Sequence, residues 1–132
     1  MNDNPYDTGL AIRHEIFGAE VTNRQIEGAS PFLRPMQDMV TADCFGKVWA
    51  RPGLDRKTRS MLTIAMLIGM GRSHELRIHV KGAISNGVSV DELGEILRHA
   101  AVYCGVPASV DAWLNPDAAL RECGESSAEP QP

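Results

Sequence analysis

The sequence predicts an all-α protein, and three observations carry that reading. Ala, Leu and Met, which lose little freedom on entering a helix, are plentiful. No stretch sustains the apolar–polar alternation of a half-buried strand. Aromatic residues make up 5% of the chain, so the ring side chains that favour sheets are scarce. At 132 residues and 14.4 kDa the length suits one domain. Residues 1–123 are assigned to it, with about six to seven helices. Residues 124–132, Gly-Glu-Ser-Ser-Ala-Glu-Pro-Gln-Pro, read as a disordered tail.

Each helix has its own punctuation. Tyr6–Phe17 predicts the first, with Leu10, Ile12, Ile16 and Phe17 as its apolar positions and Gly18 as its stop. A short helix follows from about Glu20 to Glu27. Ser30 and Pro31 open the next as N-cap and first position. It runs through Met36, Met39, Val40 and Phe45 toward Trp49, with Pro35 in its first turn. Arg51-Pro52-Gly53-Leu54 then breaks the chain. Asp55 caps a helix from Arg56 to about Met70, whose centre, Met61 to Ile68, is apolar on every side. Such a helix is covered all round. A short chain has few elements to do this, so a subunit interface is expected to supply part of the cover. A charge at Ile64 is therefore expected to dissociate or unfold the protein. Ser73–Ser85 forms the following helix, stopped by Asn86-Gly87. Ser89 and Glu92 make a capping box for a helix to Tyr103, which Gly105 ends. Pro107 opens a last helix toward Trp113. Asn115-Pro116 interrupts it, and a short helical piece extends to Arg121.

Charge and cysteine usage narrow the function classes. Charged residues are 23% and the net charge is -4, with a pI near 5.5. A mildly acidic chain without a basic run fits neither nucleic acid nor an anionic membrane surface. The longest apolar stretch, Met61 to Met70, is half the roughly 20 residues that a membrane span needs. Met1-Asn2-Asp3-Asn4-Pro5 lacks the basic and apolar regions of a secretion signal. Cys44, Cys104 and Cys123 are an odd, widely spaced set that suits neither a disulfide framework nor a zinc site. A reducing cytoplasm is the simplest compartment.

The most suggestive pair is Glu75 and His79, whose i, i+4 spacing places both on one helical face. His titrates near neutrality and an adjacent carboxylate favours its charged form, so the pair suits proton delivery. A solvated surface pair is the bland alternative. Arg51, Arg56, Arg59, Arg72 and Arg77 surround the ends of one helical hairpin, either as clamps for an anion or as surface partners of acids. His99, beside Ile96 and Ala100, reads as a packed, hydrogen-bonded histidine. There is no phosphate loop, nucleophile elbow, zinc-protease motif or lysine in a Schiff-base context, and no cofactor or metal is expected.

Several runs together resemble the 4-carboxymuconolactone decarboxylase family. Cys44-Phe45-Gly46-Lys47-Val48-Trp49-Ala50-Arg51-Pro52-Gly53-Leu54 is similar to that family's C-W-G-x-x-W-x-R-P-G-L segment. The likeness continues through Arg56–Leu67, Glu75-Leu76-Arg77-Ile78-His79-Val80-Lys81-Gly82-Ala83, Asn86-Gly87 and Tyr103–Ala108, covering roughly residues 6 to 110. Phe45 stands where the family usually has Trp, Ser85 where a second Asn is common, and the likeness fades after Ala108. The resemblance implies an all-helical, alkylhydroperoxidase-D-like fold, assembled as a homo-oligomer, typically a hexamer. The peroxidase branch of that superfamily carries two cysteines ahead of the histidine. Here those positions are Arg72 and Glu75, so dithiol peroxidase chemistry is not expected.

The resemblance also implies a reaction without a cofactor. The family substrate is a butenolide bearing two carboxylates. Loss of carbon dioxide sends electrons through the ring double bond into the lactone carbonyl, and protonation at carbon gives the enol-lactone of 3-oxoadipate, a step in protocatechuate breakdown. On this reading His79 has the proton or oxyanion role and Glu75 orients it or shares the proton. Arg51 and Arg59 hold carboxylates, and Trp49 walls the pocket. A relative acting on another unsaturated lactone or acid, and a non-catalytic oligomer binding a small acid, are the alternatives.

Overall fold

The computed structural model describes residues 4–112 and 114. Among these residues every regular element is helical. In order they are α1 (Pro5–Phe17), α2 (Ala19–Glu27), α3 (Arg34–Met39), a π-helical segment (Val40–Trp49), α4 (Arg56–Met70), α5 (Ser73–Ser85) and α6 (Val90–Cys104), with a further helical stretch over 106–112. None of these helices is long and apolar enough to cross a membrane. Contacts divide the chain after Arg56 into two compact units.

In the first unit, α1 starts where its cap chemistry says it should. The Asn4 side chain accepts from the Tyr6 N–H at 2.9 Å, Pro5 takes the first helical position, and Gly18 leaves the helix at φ 90°. The next start differs from expectation. The Ser30 hydroxyl does accept from the Leu33 N–H, at 3.3 Å, but residues 31–33 form a turn and α3 begins only at Arg34. Pro35 has no N–H to close a helical turn onto Pro31. Regular α geometry also stops early. From Val40 the chain winds with i→i+5 bonds, not as the plain helix expected to Trp49.

That π-segment lies directly on the backbone of α1. A Cβ on Gly9 would stand 1.8 Å from the Thr41 carbonyl oxygen, and one on Gly46 would stand 2.0 Å from that of Pro5. Around this contact Ile12, Ile16 and Phe45 form a small core, with Phe17 edge-on to Phe45 and Trp49 stacked on it at 5.6 Å. Arg13 is buried beside them, 4% exposed. Its Nη1 donates to Gln37 at 3.0 Å and to Thr41 at 2.8 Å, and its Nη2 donates to Gln25 at 2.8 Å. Burial lowers its proton affinity, yet a guanidinium stays charged.

The second unit is built around Ile64 and Ile68 of α4, Leu76 and Val80 of α5, and Leu93 and Leu97 of α6. Gly87, at φ 95°, turns the chain out of α5. Ser89 and Glu92 form the expected capping box, with both bonds at 3.0 Å. The Asn86 amide donates to the buried Ser60 hydroxyl at 2.9 Å, and the Ser109 hydroxyl donates to the Leu97 carbonyl at 2.6 Å. α4 is covered on one side only: Ser60, Ile64 and Ile68 are buried, whereas Met66 and Met70 are 62% and 67% exposed. His99 is exposed and lies against the Tyr103 ring at 4.9 Å, not packed inside as expected. Trp113 as a helix end, the interruption at Asn115-Pro116, the piece to Arg121, Cys123 and the 124–132 tail lie outside the described residues.

Candidate active site

α5 carries the pair that the spacing singled out. Glu75 sits in its first turn, where a carboxylate complements the exposed N–H groups and the positive end of the helix. Its own backbone N–H holds the carboxyl below the usual range, helped by Arg72, whose Nη2 donates to Glu75 Oε1 at 3.0 Å. His79 follows one turn later on the same face, half-buried. Burial pushes its imidazole below the usual range, and the charge of Glu75 partly offsets this. At neutral pH the free pair is thus an ionised carboxylate beside a neutral imidazole. A bound anion would raise the imidazole's proton affinity.

The arginines divide by environment. Arg72 pairs with Glu75, and Arg56 pairs with Glu15. Arg59 is half-buried in α4, in the same unit as Glu75 and His79, and its carbonyl accepts from the Thr63 hydroxyl at 2.8 Å. Arg51 and Trp49 come together in the first unit. They line a cavity of ≈ 590 Å³ with Asp7, Thr8, Ile12, Leu54, Asp55 and Arg56. Trp49 gives that cavity a flat apolar wall, while Arg51 and Arg56 supply donors suited to carboxylates. The sequence reading missed Asp7 and Thr8 because no spacing links them to residues 49–56. It also missed the Arg72–Glu75 contact, which the i, i+3 spacing would have shown. Among the described residues no three His, Cys, Asp or Glu side chains cluster as metal ligands would.

Comparison with known proteins gives the chain's relatives. The model of the carboxymuconolactone decarboxylase family matches residues 34–115. The chain is 44% identical over 109 residues to a nitrosuccinic acid decarboxylase of Metarhizium robertsii, covering 83% of this chain and 76% of that protein. It is 40% identical over 125 residues to the 4-carboxymuconolactone decarboxylase of Acinetobacter baylyi, covering 94% of this chain and 93% of the relative. The family match spans Trp49, Arg51, Arg59, Glu75 and His79 alike, and with it the chain belongs to the carboxymuconolactone decarboxylase family.

Proposed function

We propose that this protein is a cofactor-independent carboxy-lyase that converts 4-carboxymuconolactone to 3-oxoadipate enol-lactone in protocatechuate catabolism. The observation that carries this reading is the near end-to-end likeness to a 4-carboxymuconolactone decarboxylase, in a chain that keeps the Glu75–His79 pair. The carbon–carboxylate bond breaks, its electron pair moves through the ring double bond to the lactone oxygen, and carbon dioxide leaves. One proton then adds at carbon, so each turnover consumes a proton from solvent. His79 delivers it and Glu75 steadies the charged imidazolium. Arg51 and Arg59 hold carboxylates, and Trp49 confines the ring. The lactone itself is the electron sink, so no cofactor is needed. The free Cys44 and Cys104 thiols support a cytoplasmic setting. The exposed apolar side of α4 supports a homo-oligomer, which we take to be a hexamer.

The 44% identity to a nitrosuccinic acid decarboxylase favours a second reading. Nitrosuccinic acid shares a logic with the lactone: the carbon that loses its carboxylate bears a carboxymethyl arm and a group able to take the electron pair onto oxygen. A site of this kind suits either acid. Incubation with each, followed by ultraviolet absorbance for the lactone and by carbon dioxide release for both, decides the matter. Turnover of the lactone is the expected result. Release from nitrosuccinate alone would favour the second reading, and release from neither would overturn both.

A further inference from the structure

The first unit holds a charge that its stability does not explain. Arg13 is 4% exposed, and its partners Gln25, Gln37 and Thr41 are all neutral. Its Nε is buried with no hydrogen-bond partner among the described residues. Among the described residues the charge thus meets only neutral groups, an arrangement that costs more than an apolar side chain of the same volume. Where such groups are kept, their best-attested role is to fix register.

The position of Arg13 gives that role content. Gln37 lies in α3 and Thr41 in the π-segment, so one guanidinium nitrogen bridges the place where α geometry gives way to π. The Thr41 hydroxyl also donates to the Gln37 carbonyl at 2.7 Å, closing a small ring of bonds over the junction. The same guanidinium lies 5.8 Å from the centre of the Phe45 ring, within cation–π range. Phe45 in turn stacks on Trp49. In a π-helix each residue turns through a smaller angle than in an α-helix. The register set at Val40 therefore decides where Trp49 points, and how the chain enters the turn carrying Arg51. We propose that Arg13 is a positioning residue that locks the α-to-π junction and so aims Trp49 and Arg51 into the cavity of the first unit. This rests on the proposed function in one respect only, that the cavity binds part of the acidic substrate.

The test uses full-length protein in a Trp113→Phe background, which leaves Trp49 as the sole tryptophan. Arg13→Met, which fills the volume without the charge, is expected to keep its helical circular dichroism while acrylamide quenching of Trp49 increases. KM for the lactone should rise about tenfold, the fold-change of one charge-assisted hydrogen bond, with kcat within a few fold, because remote binding contacts act alike on ground and transition states. Arg13→Lys keeps the charge without the fork and should shift both readouts in the same direction. Should Arg13→Met not fold, Thr41→Val removes one hydroxyl from the junction and is read in its place. A folded Arg13→Met, or failing it a folded Thr41→Val, with parental quenching and KM would overturn the proposal. Quenching needs no turnover, so inactivity of the parent on the lactone would count against the proposed function and leave the register test standing.

Discussion

Replacing His79 with alanine is expected to lower kcat on the lactone by at least about a hundredfold, the usual worth of positioned proton transfer. The protein should fold normally, because His79 is half-buried on α5 and lies outside the core of the second unit. Glu75→Gln should be slower than the parent and folded, and full speed in that variant would make Glu75 a bystander. The pH profile of the parent supplies an independent check. In the free protein burial pushes the His79 midpoint below the usual imidazole range, with the charge of Glu75 partly offsetting this. If His79 delivers the proton as imidazolium, kcat/KM falls as pH rises through that midpoint. The bound dianion raises the imidazole's proton affinity, so kcat holds to higher pH than kcat/KM. A kcat/KM that rises over the same range, or near-parental turnover by His79→Ala, would remove His79 from that role.

The second large effect concerns α4, where two neighbouring positions should behave in opposite ways. The sequence leaves two outcomes open for a charge at Ile64, dissociation or unfolding, and its burial in the core at 1% exposure selects unfolding. Glutamate there leaves an uncompensated buried charge, costing about 3–5 kcal/mol out of a total stability of roughly 5–15 kcal/mol. Ile64→Glu is therefore expected to lose its helical circular dichroism. Met66 lies on the uncovered side of α4, beside Leu62 and Met70. α4 and α6 also bound an apolar groove of ≈ 970 Å³ lined by Met61, Leu62, Ala65, Ile96 and Tyr103. Light scattering of the parent should give a mass several times 14.4 kDa. Met66→Glu should keep its helicity and drop in mass. A parent that scatters as a 14.4 kDa particle at micromolar concentration and is active would overturn the oligomer, and an undiminished Met66→Glu assembly would place the interface elsewhere.

These two helices show what a sequence makes legible. Local rules placed α5, the Ser89–Glu92 capping box and the glycine stops at 18, 87 and 105, because each is decided within about one turn of chain. The Glu75–His79 face was legible for the same reason. The buried and open sides of α4 were not, since Met61 to Ile68 is apolar all round and its pattern carries no phase. The π-segment was hidden as well. Its contact with α1 joins Gly9 to Thr41 and Gly46, and nothing in the residues near Val40 announces it. The cavity holding Trp49 and Arg51 inherits that problem, because α1 forms one of its walls.

The glycine contact has a dynamic consequence. Between most packed helices a layer of side chains can exchange rotamers and let one element shift without the other. At Gly9 and Gly46 that layer is missing, and backbone meets backbone. Locked backbone to backbone at these two points, α1 and the π-segment are expected to open as one cooperative unit. Amide hydrogens along both should exchange with deuterium at a common free energy of opening. The side walls of the first unit's cavity, Ile12 from one element and Trp49 from the other, are then expected to breathe in step.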